Sequence, residues 1–282
     1  MTSPTVAPAG DAILRTEGLV HVYAGETRAL DGVDLSIAPG ERVAIVGQNG
    51  SGKSTLVRHF NGLLRPTEGR VFVDGTDAAG QRVAHLAATV GLAFQDPDRQ
   101  IFAGRVRTEV AFGPRNLGRS GTDLDAAIDA ALLATGLDKD AQTNPYDLGY
   151  SRRKLLALAS VLAMGTPVVV LDEPTTGQDA RGLERIHRLV ADLSAAGRTV
   201  IAVSHDMRFV AEAFERIVVM RDGRIVLDGT PAEVFAETAW PTLASTFLEP
   251  PLAARIGARL RLGATPTDEA LEAALATRSR GP

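Results

Sequence analysis

The chain has 282 residues, 45% of them hydrophobic and 23% charged, which is typical of a soluble globular protein with a sizeable core. Its net charge of −4 argues against a protein that holds nucleic acid through bulk positive charge. The absence of cysteine excludes a disulfide framework and a cysteine metal site.

The start of the chain predicts a tail followed by an antiparallel layer. Residues 1–10 are rich in Pro, Ala and Thr, with neither an apolar core nor a basic leader, so we expect a flexible tail rather than a signal peptide. Residues 13–37 alternate in polarity around a turn at Gly25 and Glu26. A further strand pair around residues 69–73 would complete the layer.

The stretch GQNGSGKST follows the apolar strand RVAIV and matches the phosphate-binding pattern G-x-x-x-x-G-K-[ST] at every defined position. Its glycines allow positive φ angles, which turn backbone N–H groups inward on a phosphate. We expect Lys53 to reach the β- and γ-phosphates and Ser54 to bind Mg²⁺. This context predicts a nucleotide site rather than a glycine-rich turn that happens to contain lysine. The site residues are Gly47, Gln48, Asn49, Gly50, Ser51, Gly52, Lys53, Ser54 and Thr55.

A helix is predicted directly after this loop, with its positive N-terminal end aimed at the phosphates. Its apolar residues recur at helical spacing, and Asn61, Gly62 and Pro66 mark its end. The predicted apolar face consists of Leu56, Val57, Phe60, Leu63 and Leu64.

Residues 104–163 are rich in Ala and Leu and predict a helical subdomain, with helices over residues 123–133 and 155–162. The apolar run over residues 155–171 is long enough to suggest a membrane span, but the sequence Gly-Thr-Pro interrupts it. We expect this run to be buried core, so that any membrane contact goes through partners.

Three apolar runs predicted to be buried strands end in polar residues: Gln95, the pair Asp172 and Glu173, and His205. Because parallel strands present their carboxyl ends at one edge of a sheet, we expect these side chains beside the phosphate loop. Asp172 would hold Mg²⁺, Glu173 would accept a proton from attacking water, and His205 would stabilise the γ-phosphate. Taken singly, acids at a strand exit or a lone histidine are more often structural.

The end of the chain carries no predicted chemistry. Asp222 and Gly223 suit the two-residue turn of a hairpin over residues 217–227, and the sequence after Pro231 is weakly helical.

The order of these features resembles the nucleotide-binding subunit of an ATP-binding cassette (ABC) transporter, over residues 13–235. The resemblance implies an α/β P-loop NTPase fold with a parallel core sheet, an antiparallel β layer and an inserted helical subdomain at residues 104–163. It also implies a nucleotide-binding domain over residues 11–235 and a C-terminal helical extension over residues 236–282.

The resemblance assigns further roles. Gln95 falls at the Q-loop glutamine, which contacts ATP and Mg²⁺ and serves catalysis, and His205 falls at the switch histidine. Tyr23 resembles the aromatic residue that stacks on adenine, although a strand tyrosine packed on the sheet remains an alternative. Gln178 and Asp179 fall at the D-loop.

Within that family, FQDPDRQIF and EVAFGPRNLG resemble the ATPase subunits of energy-coupling-factor importers, which take up vitamins and transition-metal ions. Asp96 to Phe102 would contact a coupling helix of the transmembrane subunit, unless they form an ordinary polar turn and helix start. A substrate-binding membrane subunit would complete the complex and choose the solute. The chain would then lie at the cytoplasmic face of the membrane as a peripheral subunit.

The family signature LSGGQ, which caps the ATP of the opposite subunit in a head-to-tail dimer, is replaced here by LGYSR. Gly149 removes the hydroxyl, Tyr150 adds bulk and Arg152 adds charge, although Ser151 could substitute in part. This favours a heterodimer with a second ABC ATPase that carries an orthodox signature, whereas a homodimer in which LGYSR still caps ATP is the alternative. The segment comprises Leu148, Gly149, Tyr150, Ser151 and Arg152.

Other functions remain open at this point. A soluble cassette acting on nucleic acid or ribosomes usually has two cassettes or a long coiled coil, and neither is found in this sequence. A non-hydrolysing regulatory subunit would not need Glu173 and His205, and a small-molecule kinase would not need Gln95 and His205. We therefore expect ATP hydrolysis coupled to transport, with ATP and Mg²⁺ as ligands and no nucleic acid.

Overall fold

The computed structural model describes residues 12–279, so the tail predicted at residues 1–10 lies outside the described residues. The strands are β1 Leu14–Val22, β2 Arg28–Ile37, β3 Arg42–Val46, β4 Glu68–Val73, β5 Thr76–Asp77, β6 Val90–Ala93, β7 Val168–Asp172, β8 Thr199–Val203, β9 Arg216–Arg221 and β10 Arg224–Gly229. The helices are α1 Lys53–Phe60, α2 Val83–Thr89, α3 Val106–Asn116, α4 Gly121–Thr135, α5 Tyr150–Met164, α6 Ala180–Ala195, α7 Met207–Ala213, α8 Pro231–Val234, α9 Trp240–Ala244, α10 Leu252–Leu260 and α11 Asp268–Ser279.

The strands form two sheets. The smaller is antiparallel, with the order β2-β1-β4-β5, and the larger has the order β10-β9-β3-β8-β7-β6. Strands β9, β3, β8, β7 and β6 of the larger sheet run parallel, and β10 pairs antiparallel to β9 at one edge. The carboxyl ends of β3, β7 and β8 therefore meet at one edge, where the predicted polar residues follow.

The five parallel strands of the larger sheet are buried on both faces, which explains why they are nearly continuous runs of aliphatic residues. One face packs on the smaller sheet and α1, through Ile45, Leu56 and Phe60, all fully buried. The other face packs on the helices, through Val169, Leu189 and Phe209 among others. The same cluster includes Leu243 of α9 and Ala254 of α10, so the helices after residue 235 are packed on the cassette.

Two sequence predictions about element ends were wrong. Leu63 and Leu64 do not belong to the helix after the phosphate loop, since α1 ends at Phe60 and the backbone turns at Gly62 with φ +75°. The strand predicted to end at Gln95 ends two residues earlier, at Ala93. Among the described residues, β6 pairs with β7 alone, at the edge of the sheet. The last pair of that ladder is Ala93 with Leu171, so the strand ends at Ala93.

Helices α3 and α4 lie within the predicted helical subdomain, and α5 ends one residue beyond it, at Met164. Helix α3 was missed from the sequence. The predicted limits of the cassette and of the C-terminal extension stay predictions. Between residues 12 and 279, no helix combines the length and apolar character needed to cross a bilayer.

Arg216 joins the edge hairpin to the strands before the phosphate loop. Its guanidinium donates to both carboxylate oxygens of Asp228 at 2.6 Å, to Glu41 Oε1 at 3.0 Å and to the Ser36 carbonyl at 2.9 Å. These bonds raise the pKa of the Arg216 guanidinium, chiefly through Asp228. A forked ion pair of this kind holds geometry as well as charge.

We therefore expect Arg216→Met to destabilise the chain. Removing one partner of a buried pair costs about 3–5 kcal/mol, and the partial exposure of Arg216 lowers our expectation to about 2–3 kcal/mol. Urea unfolding would measure this loss as a lower midpoint with an unchanged slope. The matched control is Arg188→Met, which removes an exposed pair with Glu184 and should leave the midpoint in place. Equal midpoints for the two variants would contradict the expectation.

Candidate functional site

The loop between β3 and α1 has no room for side chains at two of its glycines. Gly47, Gly50 and Gly52 have φ angles of +152°, +82° and +101°. A Cβ on Gly47 would lie 2.3 Å from the Met220 carbonyl oxygen, and one on Gly52 would lie 2.5 Å from the Ala29 carbonyl oxygen. The predicted cradle of backbone N–H groups therefore depends on these glycines for both conformation and space.

The turn of the β9–β10 hairpin supports this loop. The Gly223 N–H donates to the Ser51 carbonyl at 3.1 Å, and the Asp31 N–H donates to the Gly223 carbonyl at 3.0 Å. Asp222 and Gly223 have φ angles of +49° and +75°, as the predicted two-residue turn requires. The hairpin turn and the phosphate loop thus form one hydrogen-bonded unit.

Lys53 is the buried cation of the site. Its side chain is 8% exposed, and Nζ donates to the carbonyls of Gly47 and Gln48 at 2.7 and 2.9 Å. Burial lowers the pKa of the Lys53 ammonium, while the carboxylates of Glu173 and Asp172 oppose that shift. The charge is held inside the loop, where it can exchange these carbonyls for phosphate oxygens.

Ser54 and Asp172 form the predicted oxygen pair. Asp172 is the last residue of β7, is 3% exposed, and accepts a hydrogen bond from Ser54 Oγ at 3.4 Å. Burial raises the pKa of the Asp172 carboxyl, and the bond from Ser54 opposes this. A hydroxyl and a carboxylate this close suit a hard divalent cation such as Mg²⁺.

Glu173 and His205 meet because β7 and β8 are adjacent parallel strands. The Glu173 N–H donates to the Val203 carbonyl at 2.8 Å, which places the residue after β7 beside the residues after β8. His205 Nδ1 lies 2.7 Å from Glu173 Oε2, and Thr176 Oγ1 lies 3.4 Å from the same oxygen. The carboxylate is thus aimed by two side chains.

Glu173 has a left-handed backbone with φ +52°. For a residue with a Cβ, such a conformation costs about 1–3 kcal/mol and persists where neighbouring contacts impose it. Strain of this kind concentrates at functional sites, and Glu173 is the one of the six described non-glycine residues with positive φ that lies at the end of β7 beside the phosphate loop.

The other two predicted nucleotide contacts lie at the rim. Tyr23 is 37% exposed, and its hydroxyl lies 3.1 Å from Thr55 Oγ1, so the ring is fixed to α1 and keeps an open face. Gln95 is exposed and shares no hydrogen bond with Asp172 or Glu173 among the described residues.

Sequence reasoning missed Gln100, which tethers the loop that carries Gln95. Its side-chain oxygen accepts from the Phe94 N–H at 3.1 Å, and its amide donates to the Ala157 carbonyl at 2.8 Å. A glutamine at this spacing gives no signal in the sequence, because its partner Ala157 lies far along the chain.

The segment Leu148 to Arg152 lies against the predicted D-loop of the same chain. Ser151 Oγ donates to Gln178 Oε1 at 2.8 Å, and Gln178 Nε2 donates back to the Ser151 carbonyl at 3.1 Å. The Ser151 hydroxyl is therefore engaged within the chain, and its partial replacement of the missing signature serine stays a prediction.

The neighbouring residues complete this contact. Gly149 caps α5 without a side chain, and a Cβ on Gly177 would lie 2.9 Å from the Tyr150 ring. Arg152 pairs with Asp140, and the Asp179 carboxylate caps α6 by accepting from the Gly182 N–H at 2.8 Å. Tyr150 is 42% exposed, so it stands at the surface where close approach of a nucleotide would be needed.

The profile of a family described as ABC transporter matches residues 30–176. The chain belongs to the ABC transporter family. An energy-coupling factor transporter ATP-binding protein, EcfA of Methanocaldococcus jannaschii, is 41% identical over 80% of this chain and 81% of its own length. A putative ABC transporter ATP-binding protein of Caldanaerobacter subterraneus is 41% identical over 89% of this chain, which spans 44% of that relative.

Solved structures agree with the sequence relatives. CbiO1 of Clostridium perfringens, described as part of the ABC transporter complex CbiONQ, superposes with a TM-score of 0.74 at 36% identity and covers 89% of this chain and 99% of its own. A dimeric ATP-binding cassette bound to ADP and phosphate superposes with a TM-score of 0.70 at 28% identity, covering 77% and 98% of the two chains. The ABC family, the P-loop fold and the ATPase assignment predicted from the sequence are confirmed.

We expect Lys53→Ala to weaken ATP binding directly. A hydrogen bond to a charged group is worth about 1.5–3 kcal/mol, so the dissociation constant should rise roughly 10- to 100-fold. Titration of the purified chain with ATP would measure this. Lys139→Ala, at an exposed lysine, is the control and should bind as the unaltered chain does. Equal affinities for the two variants would remove Lys53 from the phosphate site.

Proposed function

We propose that this chain hydrolyses ATP to energise an importer of the energy-coupling factor type, for a vitamin or a transition-metal ion. The observation that carries the chemistry is the Glu173 carboxylate, held by His205 at a distance of 2.7 Å beside the buried Lys53. The transporter subgroup is supported by relatives that carry the energy-coupling factor name at about two-fifths identity along most of their length.

ATP binding follows from the cradle. The N–H groups of the loop and the N-terminal end of α1 present positive charge to the β- and γ-phosphates. Lys53 would exchange the carbonyls of Gly47 and Gln48 for phosphate oxygens, and the open face of Tyr23 would stack on adenine.

The oxygen donors of the site fit Mg²⁺. Ser54 and Asp172 would hold the ion, and Gln95 would join them if its loop moves inward. When bound, the ion neutralises charge on the phosphate oxygens as the γ-phosphoryl group leaves. Asp172 is buried, so bulk water would screen the electrostatic attraction between its carboxylate and the cation only weakly.

Hydrolysis requires a water molecule in line with the bond between the β- and γ-phosphates. Glu173 would accept a proton from this water as its oxygen bonds to the γ-phosphorus, and the electron pair of the broken bond would leave with ADP. His205 would orient the carboxylate through Nδ1, and its exposed ring would meet the γ-phosphate. Catalysis on this basis is mainly positioning and charge neutralisation.

Glu173→Gln should separate binding from chemistry. The amide keeps the size of the side chain but cannot accept the proton, so hydrolysis should slow by roughly 10²- to 10⁴-fold while ATP affinity is kept. Single-turnover hydrolysis and ATP titration measure the two effects. Glu184→Gln, at an exposed glutamate on α6, is the control. Unchanged turnover would remove Glu173 from the role of general base.

The site is completed by a second ABC ATPase. Gly149 supplies no hydroxyl, Tyr150 occupies the surface, and Ser151 is bonded to Gln178, so this segment is poorly suited to cap a partner's γ-phosphate. We therefore favour a heterodimer in which the partner's signature closes over this chain's ATP. A homodimer is the second possibility, and the dimeric cassette among the solved structures is its precedent.

The membrane partner would dock on an apolar groove next to Asp96 to Phe102. Phe102 and Phe112 are 60% and 50% exposed and contact each other edge to face, with ring centroids 4.7 Å apart. Leu63 and Val83 extend this surface across α2. Exposed apolar side chains clustered in this way are typical of an interaction site. It suits a coupling helix of the transmembrane subunit, beside a substrate-binding membrane subunit, with the chain peripheral at the cytoplasmic face.

Gentle purification of the tagged chain from membranes tests these partners. We expect a transmembrane subunit, a substrate-binding subunit and a second cassette with an orthodox signature to copurify. In that complex, restoring the signature serine and glycine by Gly149→Ser and Tyr150→Gly should raise hydrolysis at the opposite site. Copurification of ribosomes or nucleic acid, or equal hydrolysis at both sites of an unaltered homodimer, would contradict the assignment.

A further inference from the structure

The left-handed backbone of Glu173 is held from both sides of the residue. Its N–H donates to the Val203 carbonyl of β8 at 2.8 Å. Its carbonyl accepts from Lys154 Nζ, a side chain of α5. A main-chain conformation that the residue disfavours by itself is thus fixed by one strand and one helix.

Lys154 is a buried cation without a salt bridge partner among the described residues. Its side chain is 7% exposed, and Nζ also donates to the Thr176 carbonyl at 3.0 Å. Burial lowers the pKa of the Lys154 ammonium, and the nearby charges of Glu173 and Asp172 oppose this. Burying an ammonium group costs free energy, and a methionine would fill the same space without that cost. We therefore attribute the buried charge to its hydrogen bonds with the two carbonyls.

The contacts of Lys154 bracket the turn after β7. The two carbonyls belong to Glu173 and Thr176, and the Thr176 hydroxyl lies 3.4 Å from the Glu173 carboxylate. Nζ therefore fixes the residue that carries the carboxylate and a residue that aims it. Lys154 itself is a part of α5, one turn after Tyr150, whose ring lies 6.0 Å from Nζ.

We infer that Lys154 is a positioning residue for ATP hydrolysis, which holds the main chain of Glu173 so that its carboxylate faces the attacking water. The inference rests on the proposed role of Glu173. Because Lys154 and the segment Leu148 to Arg152 share one helix, a shift of that segment against a partner's nucleotide would move the Glu173 carbonyl as well. The lysine links the two sites of a dimer within one chain.

A double-substitution cycle on the purified complex tests this. Lys154→Met should slow single-turnover hydrolysis roughly 10- to 100-fold, as expected for a misplaced catalytic group, and should leave the ATP dissociation constant within about threefold. On a Glu173→Gln background, Lys154→Met should slow hydrolysis by no more than about twofold, since the two residues act as one unit. Hydrolysis by the Lys53→Ala complex gives the background from the partner's site.

Three results would overturn the inference: full activity of Lys154→Met, an equal further loss on the Glu173→Gln background, or a loss confined to ATP affinity. Lys139→Met, at an exposed lysine, is the matched control. If Lys154→Met lowers the unfolding temperature so far that the complex does not form, Lys154→Gln, which keeps one N–H donor, replaces it in the same cycle. Glu173→Gln with normal hydrolysis would instead refute the proposed function, so the two failures are distinguishable.

Discussion

The structure depends on holding two ammonium groups and two carboxylates together in a place nearly closed to water. Lys53, Lys154, Asp172 and Glu173 are 8%, 7%, 3% and 6% exposed. Charges taken out of water are unfavourable alone, and here each partly compensates the others across the ends of β3 and β7. The rest of the fold supplies the rigid parallel strands that keep these groups at fixed separations.

The parts of the site that are local in sequence could be predicted. The loop from Gly47 to Thr55 carries its glycine, lysine and hydroxyl requirements within nine residues, and an aliphatic run before Glu173 identifies a buried strand. His205 could be placed beside Glu173 because the ends of parallel strands share an edge. Contacts that depend on tertiary packing could not be predicted, such as Lys154 on the Glu173 carbonyl and Ser151 on Gln178. Helix ends were misjudged for the same reason, since Leu63 keeps helical spacing after the backbone has already turned at Gly62.

Residues 148–152 fit closely against the loop that they contact. Tyr150 needs the missing side chain of Gly177, and Ser151 needs the amide of Gln178. A reversion at one position alone would leave its neighbour without a partner. The segment is therefore a consistent local structure rather than a decayed motif.

The hairpin of β9 and β10 connects the phosphate loop to the helices after residue 230. Its turn is hydrogen-bonded to Ser51, and its second strand leads directly into α8 and the helices packed behind the larger sheet. A displacement of those helices would be transmitted to the nucleotide loop through this hairpin. The helices after residue 230 and the nucleotide loop are therefore joined by a single β-hairpin.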